Sequence, residues 1–157
     1  MFRSIRRMDR AISRSECQDI LARNEYGILS TQGKGNYPYA TPYNYVYLDG
    51  KIYIHSTCQS SHKQDDLKVN PNVCFTVVGN AEVMPERFTT YYESVIVFGT
   101  AEVIKESSVK QRALVGLIDK YSHEFMNEGL TYIEKEIDNT AVIKITPIHI
   151  TGKRHRR

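Results

Sequence analysis

The 157-residue chain has no apolar run near the roughly 18 residues needed to cross a bilayer, which excludes a spanning helix. Its basic start, MFRSIRRMDR, has no apolar stretch behind it and so is not a secretory signal; Asp9 and Glu16 come too early for an amphipathic targeting peptide. Cysteine is scarce and odd in number. Cys17, Cys58 and Cys74 are widely spaced with no CxxC pair, which argues against a disulfide frame or a zinc site and points to free thiols in a reducing, cytoplasmic setting. Neither GxGxxG nor GxxxxGK[ST] occurs, so the two commonest nucleotide-cradling signatures are missing. Repeats, linkers and low-complexity segments are absent too, so residues 1–157 read as a single domain. The formal net charge of +3 is concentrated at the ends, in RSIRRMDR and GKRHRR; the body between them is near neutral, unlike the broad basic face of a nucleic-acid binder.

What is present is mostly β. Ser15 with Gln18 reads as a capping box opening a helix over 15–24. YGILSTQ reads as a strand. In YPYATPYNYVYLDG, the tyrosines at 37, 39, 43, 45 and 47 fall on odd positions and share one strand face, while Pro38 and Pro42 confine that strand to a sheet edge or a bulge. Asp49-Gly50 is a hairpin signal, with KIYIHST returning. SSHKQDDLKVN reads as a short helix, VCFTVVG as a strand, NAEVMPERFTTYY as a loop with some extended structure, and ESVIVFGTAEVI as a strand bulged or bent at Gly99. A helix capped by Ser107 or Ser108 is expected over 107–127, a helical turn over 131–138, and a last strand kinked or interrupted at Pro147. Short turns between strands make the pairing antiparallel. The fold expected is α+β, mainly β, with a small barrel and flanking helices.

The richest chemistry lies in HSTCQSSHKQDDL, residues 55–67, where a strand hands over to a helix. The first turn of a helix has unpaired N–H groups and a partial positive charge, which suits an anion, above all a phosphate. Ser60, Ser61, His62 and Lys63 add hydroxyl, imidazole and ammonium donors there, and Ser56 and Thr57 end the incoming strand. A ligand with a phosphate at one end and a flat polar ring at the other would fit. The same residues also admit a plain structural reading: Ser60 as a cap, Lys63 as a solvated lysine, His55 as an edge-strand residue. His55 and His62 lie on different elements with no third ligand, so no metal site is read.

In order and spacing, RRMDR, YGILST, ATPYNYVYLDGKIYIHS, HKQDDLKVNPNVCF, YYESVIVFGTAEVI and ITGKR resemble the pyridoxamine 5′-phosphate oxidase-like, FMN-binding split β-barrel proteins, and among them the nitroimidazole-resistance branch. The resemblance implies a six-stranded antiparallel split barrel that forms a homodimer, with FMN at the subunit interface. It implies that Ser61, His62 and Lys63 hold the FMN phosphate, where the oxidase itself has an Arg-Lys pair. It places Pro42, Tyr43 and Asn44 beside the isoalloxazine ring, and His55, Ser56 and Thr57 along the ribityl chain or ring edge. From the second subunit, Ser94 in YYES and Lys153 in TGK would close the pocket. His55 is the candidate proton donor to a reduced substrate. The chain departs from the oxidase in two places: the C-terminal substrate-binding arginine motif is absent, which argues against vitamin B6 oxidation, and the CQSSHK loop is about a residue longer than in many relatives.

The function expected is an FMN-dependent oxidoreductase that moves electrons from a reduced nicotinamide or similar donor to a small organic acceptor. The alternative is a non-enzymatic flavin- or haem-binding protein on the same barrel. Nucleic-acid binding by the tyrosine row is a distant third, because alternating tyrosines more often pack on a sheet face or an interface. Neither a nucleic-acid nor a membrane partner is expected.

Overall fold

The structure, a computed structural model, describes residues 2–35, 37–58 and 61–156. Its elements run α1 (Arg14–Arg23), β1 (Tyr26–Thr31), β2 (Tyr39–Asn44), β3 (Val46–Leu48), β4 (Lys51–Thr57), α2 (His62–Val69), β5 (Asn72–Met84), β6 (Thr89–Val103), α3 (Ser107–Ser122), α4 (Met126–Glu136) and β7 (Thr140–His155). All strand pairs are antiparallel, in one sheet of order β2-β1-β5-β6-β7-β4-β3. The α+β class holds, but by hydrogen bonding the sheet has seven strands and is open, not a closed six-stranded barrel. Among the described residues no helix is long and apolar enough to cross a membrane.

The extra strand arises at Tyr45. The tyrosine row reads as one strand, yet the chain breaks there into β2 and β3, which form the two opposite edges of the sheet. Only Tyr45 separates Asn44 from Val46, so the two edges approach to within about 7 Å at this corner. The sheet must therefore curl. The period-two reading survives the break, because Tyr43, Tyr45 and Tyr47 all face the same core. Tyr45 is fully buried, its ring edge-on to Phe75 at 5.0 Å and its hydroxyl donating to Leu21 O at 2.7 Å. Its backbone is held by α3. Tyr121 Oη accepts from Tyr45 N–H at 3.0 Å and lies within bonding reach of the carbonyls of Tyr45 and Glu25. Lys120 Nζ donates to Asn24 O at 2.6 Å and Tyr45 O at 3.0 Å, and burial pushes its pKa down to about 8.

Two cores result. The inner one lies between the curled sheet and α1, with Ile20, Leu21, Ile52, Ile54, Phe75 and Val97. The outer one joins β3, β4 and β7 to the α3–α4 hairpin through Val46, Tyr53, Leu114, Leu117 and Val142. Each fully buried Ile or Phe contributes about 1.5–3 kcal/mol, against about 0.5–1.5 for one corner hydrogen bond. Burial thus supplies most of the stability, and the corner bonds select how the sheet curls.

Several local expectations shift. The cap of α1 is Ser13, not Ser15: Glu16 N–H donates to Ser13 Oγ at 3.3 Å, and Ser13 N–H donates to Glu16 Oε2 at 2.9 Å, the charged partner that Gln18 cannot be. The segment read as a loop around Pro85 is instead a hairpin extending β5 and β6, turned by a 3₁₀ segment at Pro85–Arg87 and left-handed Phe88. The expected helix over 107–127 ends at Ser122, and after a 3₁₀ turn at His123–Phe125 a full second helix, α4, replaces the short turn. β7 is one strand through Pro147, but its ladder with β6 is bulged there as expected: Gly99 faces Pro147 and Phe98 faces His149, which leaves Ile148 as the extra residue. The expected irregularity at Gly99 is present as a register shift between Phe98 and Gly99, where a Cβ would collide with the carbonyl of Thr146.

A charge cluster ties the end of β7 to the body. Glu93 is fully buried and pairs with Arg23, with Arg154 Nε at 3.3 Å and with Arg156 at 3.2 Å, while Asn80 Nδ2 donates to it at 2.8 Å. Burial alone would raise its pKa; the arginines outweigh that and hold it below the ordinary carboxylate range.

Tyr121→Phe, which deletes only the hydroxyl and leaves the buried Tyr45 N–H unpaired, is expected to cost about 1–3 kcal/mol, read as a lower urea midpoint at unchanged slope. An unchanged midpoint would show that the corner is held by packing alone. For Glu93 the folded pKa lies below the unfolded value near 4.3, so its contribution is present above about pH 4 and is lost as pH falls through the folded pKa. The stability gap between wild type and Glu93→Gln should therefore narrow from pH 5 towards pH 3; a constant gap would show that Glu93 is not ionised in the fold.

Candidate functional site

The corner at Tyr45 makes an opening. β3 covers the edge of β4 only from Lys51 to Tyr53, through Val46↔Tyr53, Tyr47↔Ile52 and Leu48↔Lys51. Continued straight, that register would set Asn44 opposite His55 and Pro42 opposite Thr57. Instead β2 turns away to pair with β1, with Pro42 opposite Ile28. The stretch His55–Thr57 keeps β7 on one side, and no strand among the described residues pairs with the other. This slit between β2 and the end of β4 collects most of the residues singled out in the sequence.

α2 caps the slit. Two side-chain anchors and one close backbone approach fix its direction. Thr31 Oγ1 donates to the buried Asp66 Oδ2 at 2.7 Å, anchoring α2 to β1. Gln64 Nε2 donates to Ser56 Oγ at 3.4 Å and Thr57 O at 3.3 Å, anchoring it to β4. Gly33 passes so close to Asp66 that a Cβ there would overlap its carboxylate. On the β2 side, the His62 ring stacks on Tyr39 at 4.2 Å with Nε2 3.6 Å from Asp66 Oδ1, and Lys63 Nζ stands 5.3 Å over the Tyr43 ring.

The mouth of α2 therefore presents its first-turn N–H groups with His62 and Lys63 beside them. Ser61 is its N-cap with extended backbone, but its side chain accepts no capping bond. Ser61 Oγ is buried with no hydrogen-bond partner, as is Thr41 Oγ1 on β2. Tyr47 Oη on β3 is in the same state; an unpaired buried hydroxyl costs about 1–3 kcal/mol, and the one at Ser61, beside the first-turn N–H groups, suits a polar guest. A phosphate fits this donor set of hydroxyl, imidazole, ammonium and backbone N–H. Ser60, the other serine read into the mouth, lies outside the described residues.

At the other end of the slit stands His55, which follows Tyr53 on the outer, α3–α4 side of β4. With Asn44 it lines a depression of about 250 Å³ walled by Leu117, Ile118 and Tyr121. With Ser56 and Thr57 it lines a second, of about 420 Å³, bordered by Tyr132 and Glu136. One side of the imidazole is open, but crowding of its ring by the fold holds its pKa below the usual histidine value, so it is neutral at pH 7. Along the bare edge of β4 the order is thus the mouth of α2, the hydroxyls of Ser56 and Thr57, and then His55 with the depressions around it.

Pro42 is exposed on β2, and Tyr43 lies half-buried under Lys63. Ser94 and Lys153 are not at this slit. They face each other in the β6–β7 register, and Lys153 lies eleven residues along β7 from Val142, the partner of His55. At about 3.3 Å per residue that is about 35 Å of strand. Sequence reasoning missed Thr31, Gln64 and Asp66, whose polar side chains look like a solvated helix face, and it assigned no chemistry to α3 and α4, which wall both depressions at His55. Cys17 is buried, Cys58 exposed and Cys74 half-buried, all as free thiols, and no cluster of metal-ligating side chains occurs among the described residues.

Comparison with known proteins fits this geometry to a family. A search of the curated proteins finds no match. Among solved structures, the chain is similar to a candidate 5-nitroimidazole antibiotic resistance protein from Bacteroides thetaiotaomicron, at 23% identity and a TM-score of 0.78 over 91% of this chain and 85% of the other. It is similar to the flavocytochrome Anf3 from Azotobacter vinelandii, at 20% identity and a TM-score of 0.77, covering 98% and 73%. It is also similar to an FAD and haem binding protein from Mycobacterium smegmatis, at 20% identity and a TM-score of 0.77, covering 92% and 72%. At these identities the structures speak for the fold. The sequence profile described as pyridoxamine 5′-phosphate oxidase matches residues 13–154, nearly the whole chain, and so this chain belongs to the pyridoxamine 5′-phosphate oxidase family.

Proposed function

We propose that the chain is an FMN-dependent oxidoreductase that passes electrons from a reduced nicotinamide or similar donor to a small organic acceptor. The observation that carries this reading is the mouth of α2, where Ser61 Oγ lies buried and unpartnered beside Lys63 and His62, at one end of a slit whose other end is a neutral imidazole. In this reading Ser61, His62 and Lys63 bind the phosphate, and Ser56 and Thr57 line the path of the ribityl chain. Pro42, Tyr43 and Asn44 flank the ring with His55. The flavin, when bound, supplies the hydride and electron transfer.

The protein's own part is positional. The bonds from Thr31 and Gln64 hold the anion site rigid, so binding does not first have to order it. Leu117 and Ile118 of α3 flank His55, whose neutral imidazole offers one ring N–H as a hydrogen-bond donor to the ring edge or to an acceptor; an acid step would use its imidazolium, which the lowered pKa makes scarce at pH 7. The partner that the free edge of β4 lacks at His55–Thr57 would be supplied by the flat polar rim of the ring.

The same reading makes the working unit a homodimer. Ser94 and Lys153 stand about 35 Å of strand away from the slit of their own chain, so a second copy is required to bring them to it. The outer sheet face around them exposes Ile28, Val78 and Phe98, apolar side chains suited to burial between two chains. The three free thiols suit a reducing cytoplasmic compartment.

A second reading, a flavin- or haem-binding protein without turnover, is favoured by His55 standing beside an apolar depression and by the haem named for one structural neighbour.

The purified protein should be yellow or take up FMN with a rise in melting temperature, and the flavin should bleach on adding reduced nicotinamide and recover with an acceptor. Uptake without bleaching by any nicotinamide selects the binding reading, and no uptake at all removes both. Lys63→Ala should weaken FMN binding by about 1–3 kcal/mol in a titration, the scale of a charge-assisted bond; an unchanged affinity would place the phosphate elsewhere. Sedimentation of the FMN-loaded protein should give the mass of two chains, and Lys153→Ala should weaken FMN binding without altering the fold. A single-chain mass, or full affinity in Lys153→Ala, would remove the shared site.

A further inference from the structure

The α3–α4 hairpin, with β4 and β7 beneath it, builds a pocket of about 140 Å³ to which the flavin reading gives no occupant; it adjoins the two depressions at His55 and shares part of their lining. Its walls are aliphatic, from Leu117, Ile118 and Ile133, with the Tyr132 ring at its rim. An apolar cavity of about 150 Å³ lined by such side chains is large enough for one benzene ring, so this pocket holds one ring and not two.

One edge of the pocket is polar. His55, Thr140 and Glu136 meet there, and Glu136 carries the only formal charge of the lining. Thr140 Oγ1 is already committed, donating to the backbone carbonyl of Glu136 at 2.8 Å. The Glu136 carboxylate itself accepts a single bond, from Asn139 Nδ2 at 3.3 Å, and no cation pairs with it among the described residues. A carboxylate with spare acceptor capacity at the rim of an apolar ring-sized pocket selects by charge: it attracts a donor or a cation and repels an anion.

We propose that this pocket binds a single-ring aromatic compound that is neutral or cationic, its ring held between Leu117, Ile118 and Tyr132 and its donor edge on Glu136. Anionic rings of the same shape are rejected. The site is built by the helical hairpin with His55 and Thr140 of the sheet beneath it, and its occupation does not require the flavin reading to hold.

The test is a ligand-observed NMR titration of the full chain with benzamidine and, separately, with benzoate, which share a shape and differ in charge. Benzamidine should bind and benzoate should bind at least tenfold more weakly. Glu136→Gln should weaken benzamidine about tenfold and erase the preference, while Ile118→Phe should fill the pocket and abolish both. Melting temperatures check that each variant is folded; if Ile118→Phe is not, Glu136→Gln decides alone. Equal binding of the two probes by wild type, no binding of benzamidine, or benzamidine binding undiminished in Glu136→Gln overturns the proposal. FMN uptake, followed in parallel, separates the two sites: benzamidine bound by a chain that takes up no FMN supports this pocket while sinking the flavin reading.

Discussion

Everything in this fold turns on how Tyr45 is held. A seven-stranded sheet whose edges are neighbours in sequence can exist only if it curls, and the curl is fixed at one residue. The residue is caged from three sides: Leu21 of α1 takes its hydroxyl, Phe75 its ring, and Tyr121 and Lys120 of α3 its backbone. Because β2 and β3 part there, β4 is covered for its first half and bare for its second. The slit is thus a by-product of curling, and α2 has somewhere to dock because the slit exists.

The site is a division of labour between groups that touch a ligand and groups that aim them. His62 and Lys63 stand at the mouth, but Asp66 and Gln64, one turn further on or facing inward, determine where the mouth points. A buried carboxylate next to an anion site looks counterproductive. Its charge is engaged by the Thr31 hydroxyl and lies near His62, so it steadies the imidazole instead of opposing the guest. At the other end His55 is neutral and stands between the aliphatic wall of α3 and the carboxylate of Glu136, with no cation in the lining.

Much of this was legible in the residues. Pro38 and Pro42 placed β2 at an edge because proline cannot donate to a ladder. Asp49-Gly50 marked the β3–β4 hairpin, and both residues are left-handed as that turn demands. Gly99 marked the bulge, and the hydroxyls and cations of 56–63 marked the helix mouth. The failures have physical causes. Period two tells which way a side chain faces and not whether the strand is straight, so the break at Tyr45 was invisible. A capping box takes Glu or Gln at the third helical position, so Ser13 with Glu16 and Ser15 with Gln18 compete in the sequence, and the fold uses the first, with Ser13 as the cap and Arg14 as the start of α1. The stop at Ser122 has no proline or glycine to announce it. Gln64 and Asp66 look solvated because their partners, Ser56 and Thr31, are brought to them only by tertiary structure.

The bare half of β4 has another consequence. Unpaired strand edges invite foreign strands to dock, and proteins usually blunt them with bulges or charges. Here the exposed run is three residues long, recessed behind a helix on one flank and a diverging strand on the other. A polymerising neighbour would need a longer straight edge than the groove offers, while a compact molecule needs no more. The shortness of the gap sorts guests by size before any chemistry begins.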